Sequence, residues 1–193
     1  MIPKKPAVVA LLLVILCSGV ALVAYGYWAR PLRESERAIR DGNFEAALRY
    51  CNAAEARFNQ LRFTKQLLGS DYEALAGNKL WLLFRLGRLD ETIDKATEYP
   101  ESGFAHFWSA CAFFEKARGE EKDESVLGWL NRSQDEFRTA LQAKPDDWDA
   151  KFNYELTGRL VAEMRKGPKA RPEMMKLLRP EAPGGKPVTR KVG

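Results

Sequence analysis

Residues 42–54 read Gly42-Asn43-Phe44-Glu45-Ala46-Ala47-Leu48-Arg49-Tyr50-Cys51-Asn52-Ala53-Ala54. A glycine opens the stretch. A large apolar residue follows two positions later and a small one five positions later, and apolar residues then recur at intervals of three and four. Glycine accepts the left-handed backbone that a tight turn between two helices needs. The spacing of three and four marks the buried stripe of the helix that follows. A small residue on that stripe lets a neighbouring helix cross closely. The stretch therefore reads as the turn and second helix of a helical hairpin.

The frame returns twice. Gly87-Arg88-Leu89-Asp90-Glu91-Thr92-Ile93 is followed by Ala96, and Gly128-Trp129-Leu130-Asn131-Arg132-Ser133 by Phe137, Ala140, Leu141 and Pro145. A further helical run holds Phe104, Phe107, Trp108, Cys111 and Phe114. Gly42, Gly87, Gly119 and Gly128 punctuate these runs, and Pro100 and Pro145 close others. Between Arg33 and Arg165 no convincing strand alternation occurs, so the fold class expected is all-α. A last helix is predicted over Asp147–Arg165, with Asp146 or Asp147 as its N-cap.

These segments resemble the tetratricopeptide repeat, a helix-turn-helix unit of about 34 residues that stacks into a solenoid. Three degenerate repeats and a terminal helix are implied, over residues 29–165. The glycines are 45 and 41 residues apart, so the first helix pair is elongated and an insertion near Gly119–Ser125 is expected. Thr92 and Ser133 stand where the repeat has alanine. The resemblance implies a concave surface lined by the first helix of each pair. Transferring its register gives Arg40, Trp81, Arg85, His106, Phe113, Lys116, Asn153 and Arg159 as partner-binding candidates. Lys79 falls where that register expects a packing residue. Basic and aromatic groups together suit an acidic or carboxylate-ended peptide, with half of these side chains equally readable as solvated surface.

Residues 7–28, AVVALLLVILCSGVALVAYGYW, carry no charge and follow Lys4 and Lys5 within a short basic segment, 1–6. At about 1.5 Å per residue such a helix crosses a hydrocarbon core of about 30 Å. A cleaved signal has a shorter apolar core and small-residue exits, whereas apolar character here runs past Ala21 and Ala24 to Trp28. Leu16 before Cys17 does not suit a lipoprotein signal. A transmembrane anchor is the expectation, with Tyr25, Tyr27 and Trp28 at the interface. Basic residues on both sides (Lys4 and Lys5; Arg30, Arg33, Arg37 and Arg40) leave the orientation undecided by charge. The short basic start favours a single-pass protein of the bacterial inner membrane with its soluble part in the periplasm.

The net charge of +5 is unevenly spread, since residues 166–193 carry +6 and the remainder −1. A basic nucleic-acid-binding face on the folded part is therefore not implied. The 166–193 tail holds five of the ten prolines and reads as disordered. Its Met174, Met175, Leu177 and Leu178 are either a chance cluster or a docking motif. Cys51 and Cys111 fall on apolar helix faces and read as buried thiols, with a disulfide as the alternative.

No catalytic constellation is visible: no GxSxG, no phosphate-cradling glycine loop with lysine, no HExxH. The single histidine, His106, cannot supply both a base and a metal set, and no CxxC or EF-hand spacing exists. The expectation is a non-catalytic protein without cofactor or metal that binds partner proteins.

A narrower resemblance lies in Pro145-Asp146-Asp147-Trp148-Asp149-Ala150-Lys151-Phe152-Asn153-Tyr154-Glu155-Leu156. Together with the basic start, the anchor and the degenerate repeats, it is similar to the MxaK-like group. These are small membrane-anchored repeat proteins encoded beside MoxR-type ATPases and von Willebrand factor A proteins in methanol-oxidation gene clusters. That resemblance implies an accessory role in maturing a periplasmic dehydrogenase that carries calcium and a quinone. Its candidate partners are the MoxR ATPase, the von Willebrand factor A proteins and the dehydrogenase client. Trp148, Phe152, Asn153 and Glu155 are the positions it singles out. From the residues alone, Trp148 and Phe152 lie one turn apart and are expected to pack together. An ancillary repeat subunit of a secretion or outer-membrane assembly machine shares the architecture. A membrane enzyme with an unrecognised site is the alternative of a different class.

Overall fold

In the computed structural model, which describes residues 4–61, 63–120 and 123–166, the backbone turns at Gly42 with φ +72°. The turn joins α2 (Arg30–Arg40) to α3 (Phe44–Gln60). Asn43 starts α3 by accepting a hydrogen bond from the Ala46 amide at 3.1 Å. Behind it Ala47, Leu48, Cys51, Ala54 and Phe58 form the buried stripe. Every element among the described residues is helical: α1 (Lys4–Trp28) precedes this pair, and α4 (Phe63–Leu67), α5 (Gly69–Arg85), α6 (Leu89–Ala96), α7 (Gly103–Gly119), α8 (Asp123–Ala143) and α9 (Trp148–Arg165) follow. The tail at 167–193 lies outside the described residues.

The chain divides at a second left-handed glycine, Gly87 (φ +71°), into two compact units, Met1–Leu86 and Gly87–Gly193. In the first unit α3 packs between α2 and α5. Its core joins the α3 stripe to Leu75, Leu82 and Leu83 of α5, with Trp28, Leu32 and Tyr72 against the edge. Phe58 is fully buried, an apolar transfer of about 2–3 kcal/mol. Lys79, out of place for a packing residue, meets Glu55 of α3 at 2.6 Å, and both side chains are mostly buried. The pair neutralises two charges that would otherwise be costly inside the α3–α5 contact.

In the second unit α8 lies between α7 and α9, and α6 packs on α7. Ala117, Val126, Leu130, Leu160 and Val161 form its core. Gly128 is not a turn: it sits exposed inside α8, which begins at Asp123. The reason is the buried run Val126, Leu130, Ser133, Phe137, Ala140, which keeps one helical register across the glycine. One exposed glycine lowers helix stability by about 1 kcal/mol and does not break such a run. The small-residue frame survives even so, since Ala47, Thr92 and Ser133 are all fully buried. The Ser133 hydroxyl donates to the Ala110 carbonyl of α7 at 2.9 Å, and the Thr92 hydroxyl to the Arg88 carbonyl at 2.9 Å.

The segment Val8–Trp28 of α1 is long and apolar enough to cross a membrane, and residues 8–24 of it are exposed. At its end Trp28 meets Phe58 edge-on at 4.6 Å. The carbonyls left open by the helix terminus are taken by arginines. Arg33 donates to Gly26 at 2.6 Å, and Arg57 donates to Tyr27 and Trp28, each at 2.7 Å.

Candidate functional site

In the second unit α7 and α8 bring Phe113 and Trp129 into a stack, with ring centres 5.8 Å apart and planes 18° from parallel. Lys116 follows Phe113, and Arg132 follows Trp129, by three residues, the spacing that keeps side chains on one helix face. Both cations lie over the rings. The Lys116 Nζ is 4.7 Å from the Trp129 centre, and the Arg132 guanidinium is 5.1 Å from Trp129 and 5.9 Å from Phe113. Phe113 is buried and forms the floor, Trp129 is half-buried, and Arg132 is exposed.

Lys116 also meets Asp90 of α6 at 2.5 Å. The Asp90 side chain is 82% exposed, so this ion pair stands in water and contributes little. It brings a carboxylate to the cation that lies over the Trp129 ring. Arg132 has no carboxylate partner among the described residues.

His106 lies on the same helix and is already occupied. Its Nδ1 is 2.7 Å from a Glu136 carboxylate oxygen and its Nε2 is 2.8 Å from the Pro100 carbonyl. Partial burial alone lowers its pKa. The hydrogen bonds to Glu136 and Pro100 and the charges of Glu136 and Glu101 outweigh this, and the net shift is upward. His106 latches α7 to α8 and to the turn before α7. Asn153 is half-buried on α9, its carbonyl accepting from the Thr157 hydroxyl at 2.7 Å, and Arg159 is exposed on the same helix.

In the first unit Trp81 and Arg85 of α5 meet at Phe44 of α3. Trp81 is edge-on to Phe44 at 5.4 Å and the Arg85 guanidinium lies 5.5 Å from the Phe44 centre. Arg40 is exposed at the end of α2. Four of the eight candidates, Trp81, Arg85, Phe113 and Lys116, thus collect around two aromatic residues that the repeat register did not select, Phe44 and Trp129, and around Arg132. All three lie on second helices, just after Gly42 or Gly128. Their signal was the large apolar residue beside each frame glycine, with a cation one turn beyond Trp129.

Trp148 and Phe152 do not pack into the protein. They are 77% and 67% exposed, and Lys151 lies 5.2 Å over the Trp148 ring. The helix buries Ala150, Thr157, Leu160 and Val161 instead, and positions 148 and 152 fall off that stripe. Asp147 caps α9 by accepting from the Ala150 amide at 3.0 Å. Cys51 and Cys111 are free thiols. Burial pushes both up, Cys111 to about 12. Among the described residues no group of three or more histidine, cysteine or acidic side chains is arranged to hold a metal ion.

No protein-family model, curated protein or solved structure matches this chain.

Proposed function

We propose that this protein is a non-catalytic, single-pass membrane-anchored scaffold of tetratricopeptide-like helical pairs, which holds an acidic segment of a partner protein beside the membrane. The observation that carries the reading is the cation–aromatic cluster of Phe113, Lys116, Trp129 and Arg132. Its rings give a flat apolar surface. Its two cations give the bidentate and point-charge contacts that a carboxylate takes. Asp90 acts as the internal occupant that an incoming carboxylate displaces from Lys116. The uninterrupted apolar face of Val8–Trp28 supports the anchor.

Titration of the full chain in detergent with a glutamate-rich peptide tests the site. Binding should quench tryptophan emission, weaken with salt, and fall roughly tenfold in Arg132→Ala, the loss for one charge-assisted contact. Unchanged affinity in Arg132→Ala would remove the cluster from the account. Protease added to intact spheroplasts should degrade the helical part if it faces the periplasm, and protection would place it in the cytoplasm.

The narrower role, maturation of a periplasmic calcium- and quinone-bearing dehydrogenase with a MoxR-type ATPase and von Willebrand factor A proteins, rests on the order of features, a basic start, an apolar segment, degenerate repeats and the 145–156 string, of which the string is the sharpest part. Its exposed Trp148 and Phe152 suit a contact with such a partner. Deletion of the gene should then leave the dehydrogenase synthesised but unloaded, and a fully loaded enzyme in the deletion strain would discard this role.

A further inference from the structure

The foot of α1 opens onto a cleft of about 220 Å³ lined by Tyr25, Leu32, Arg33, Glu36, Asp71 and Asn78, among others. We infer that this cleft binds the phosphoethanolamine headgroup of a membrane lipid, phosphate on Arg33 and ammonium between Glu36 and Asp71. The inference rests on the proposed insertion of α1.

Depth comes first. Val8–Trp28 is 21 residues, about 31 Å of helix at ~1.5 Å per residue, against a hydrocarbon core of about 30 Å. Tyr25, Tyr27 and Trp28 then stand at the interface, where amphipathic rings are favoured. Arg33 reaches back to the Gly26 carbonyl at 2.6 Å, so its guanidinium is held at the same level. A cleft that includes both Tyr25 and Arg33 therefore lies at headgroup depth.

Charge comes second. Arg33, Glu36 and Asp71 line one cleft, yet no two of them form an ion pair, and none pairs with another charged group among the described residues. Arg33 spends one donor on Gly26 and keeps the rest of its fork. A ligand that presents both an anion and a cation would satisfy the three together. An anionic headgroup without an amine would meet two carboxylates, and a quaternary amine has no N–H to give them. The expected order is phosphatidylethanolamine first, with phosphatidylcholine and phosphatidylglycerol behind. Size agrees: at ~30 Å³ per water the space equals about seven waters, enough for a headgroup and too little for a peptide helix. The acyl chains would descend beside Tyr25 along the apolar face of α1.

The test is native mass spectrometry of the full chain released from nanodiscs made with equal phosphatidylethanolamine, phosphatidylcholine and phosphatidylglycerol. Retained lipid should be enriched in phosphatidylethanolamine by roughly tenfold, the factor for ammonium–carboxylate hydrogen bonds. Enrichment should vanish in the Glu36→Gln, Asp71→Asn double variant, with its helical circular dichroism unchanged. Retained lipid matching the bulk mixture in the unaltered chain would overturn the inference. So would enrichment that persists in the double variant. Free phosphoethanolamine competing at the same concentration as lipid would overturn the lipid source. Alkaline carbonate extraction separates the two failures: a chain that stays in the bilayer without lipid preference loses only the cleft, and a chain that washes out loses the anchor as well.

Discussion

The guanidinium of Arg57, in the last turn of α3, donates to the main-chain carbonyls of both Tyr27 and Trp28 at 2.7 Å and lies over the Tyr27 ring at 5.2 Å. Those carbonyls form the negative end of the α1 dipole, where a cation is favoured. The apolar helix is therefore fixed to the first helical unit by a side chain thirty residues away, and no linker separates them.

Replacing that contact should loosen the join. Arg57→Met removes two charge-assisted hydrogen bonds and should destabilise the first unit by about 2 kcal/mol. Amide exchange at residues 28–33 should quicken by more than exchange in α8. Exchange that stays equally slow at 28–33 would show that Trp28 on Phe58 alone holds the helix.

The frame glycines should separate by sign. Gly42→Ala forces a side chain into a left-handed backbone and should cost roughly 1–2 kcal/mol. Gly128→Ala places a methyl in open space within a helix, and should stabilise by about 0.5–1 kcal/mol. Thermal melts of the two variants moving in the same direction would contradict this assignment.

Ser133 tests the crossing of α7 and α8. Ser133→Ala loses the bond to the Ala110 carbonyl and should cost about 1 kcal/mol. Ser133→Leu must force the helices apart and should cost about 3 kcal/mol or more. Urea midpoints measure both, and equal midpoints would mean that the contact is not close.

The His106 latch gives the second unit a pH dependence of definite sign. Its folded pKa is raised above the ordinary 6.5. The stabilisation is thus fully present below about pH 6.5 and is lost as pH rises through the folded value. Glu136→Gln should flatten the dependence. Denaturation midpoints that rise between pH 6 and pH 8 would have the wrong sign.

Burial of Cys51 and Cys111 predicts slow chemistry. With thiol pKa values pushed up, Cys111 to about 12, neither should react appreciably with iodoacetamide at pH 8 in the folded chain, and both should in urea. Rapid folded-state labelling at either position, read by peptide mass, would contradict the packing.

Local patterns were legible and long-range ones were not. Gly42 announced a turn, and Asp147 announced the start of α9, because such devices act within four residues. Gly128 misled because a glycine has the same appearance in a turn and on an exposed helix face. The run Val126, Leu130, Ser133, Phe137, in one register across it, was the signal that decides. The all-helical class and the apolar helix followed from periodicity and from the charge-free stretch. The cluster at Trp129 and Arg132 lay on helices that the repeat register treats as packing elements. The Arg57 contact joins residues that only the folded chain brings together.

Membrane-side function requires α1 to be an uncleaved anchor. Membranes carrying the full chain should be washed with alkaline carbonate and the protein in each fraction weighed by intact mass spectrometry. Residues 1–193 should appear as one uncleaved chain in the membrane pellet. A soluble chain lacking the 7–28 segment would contradict the anchor.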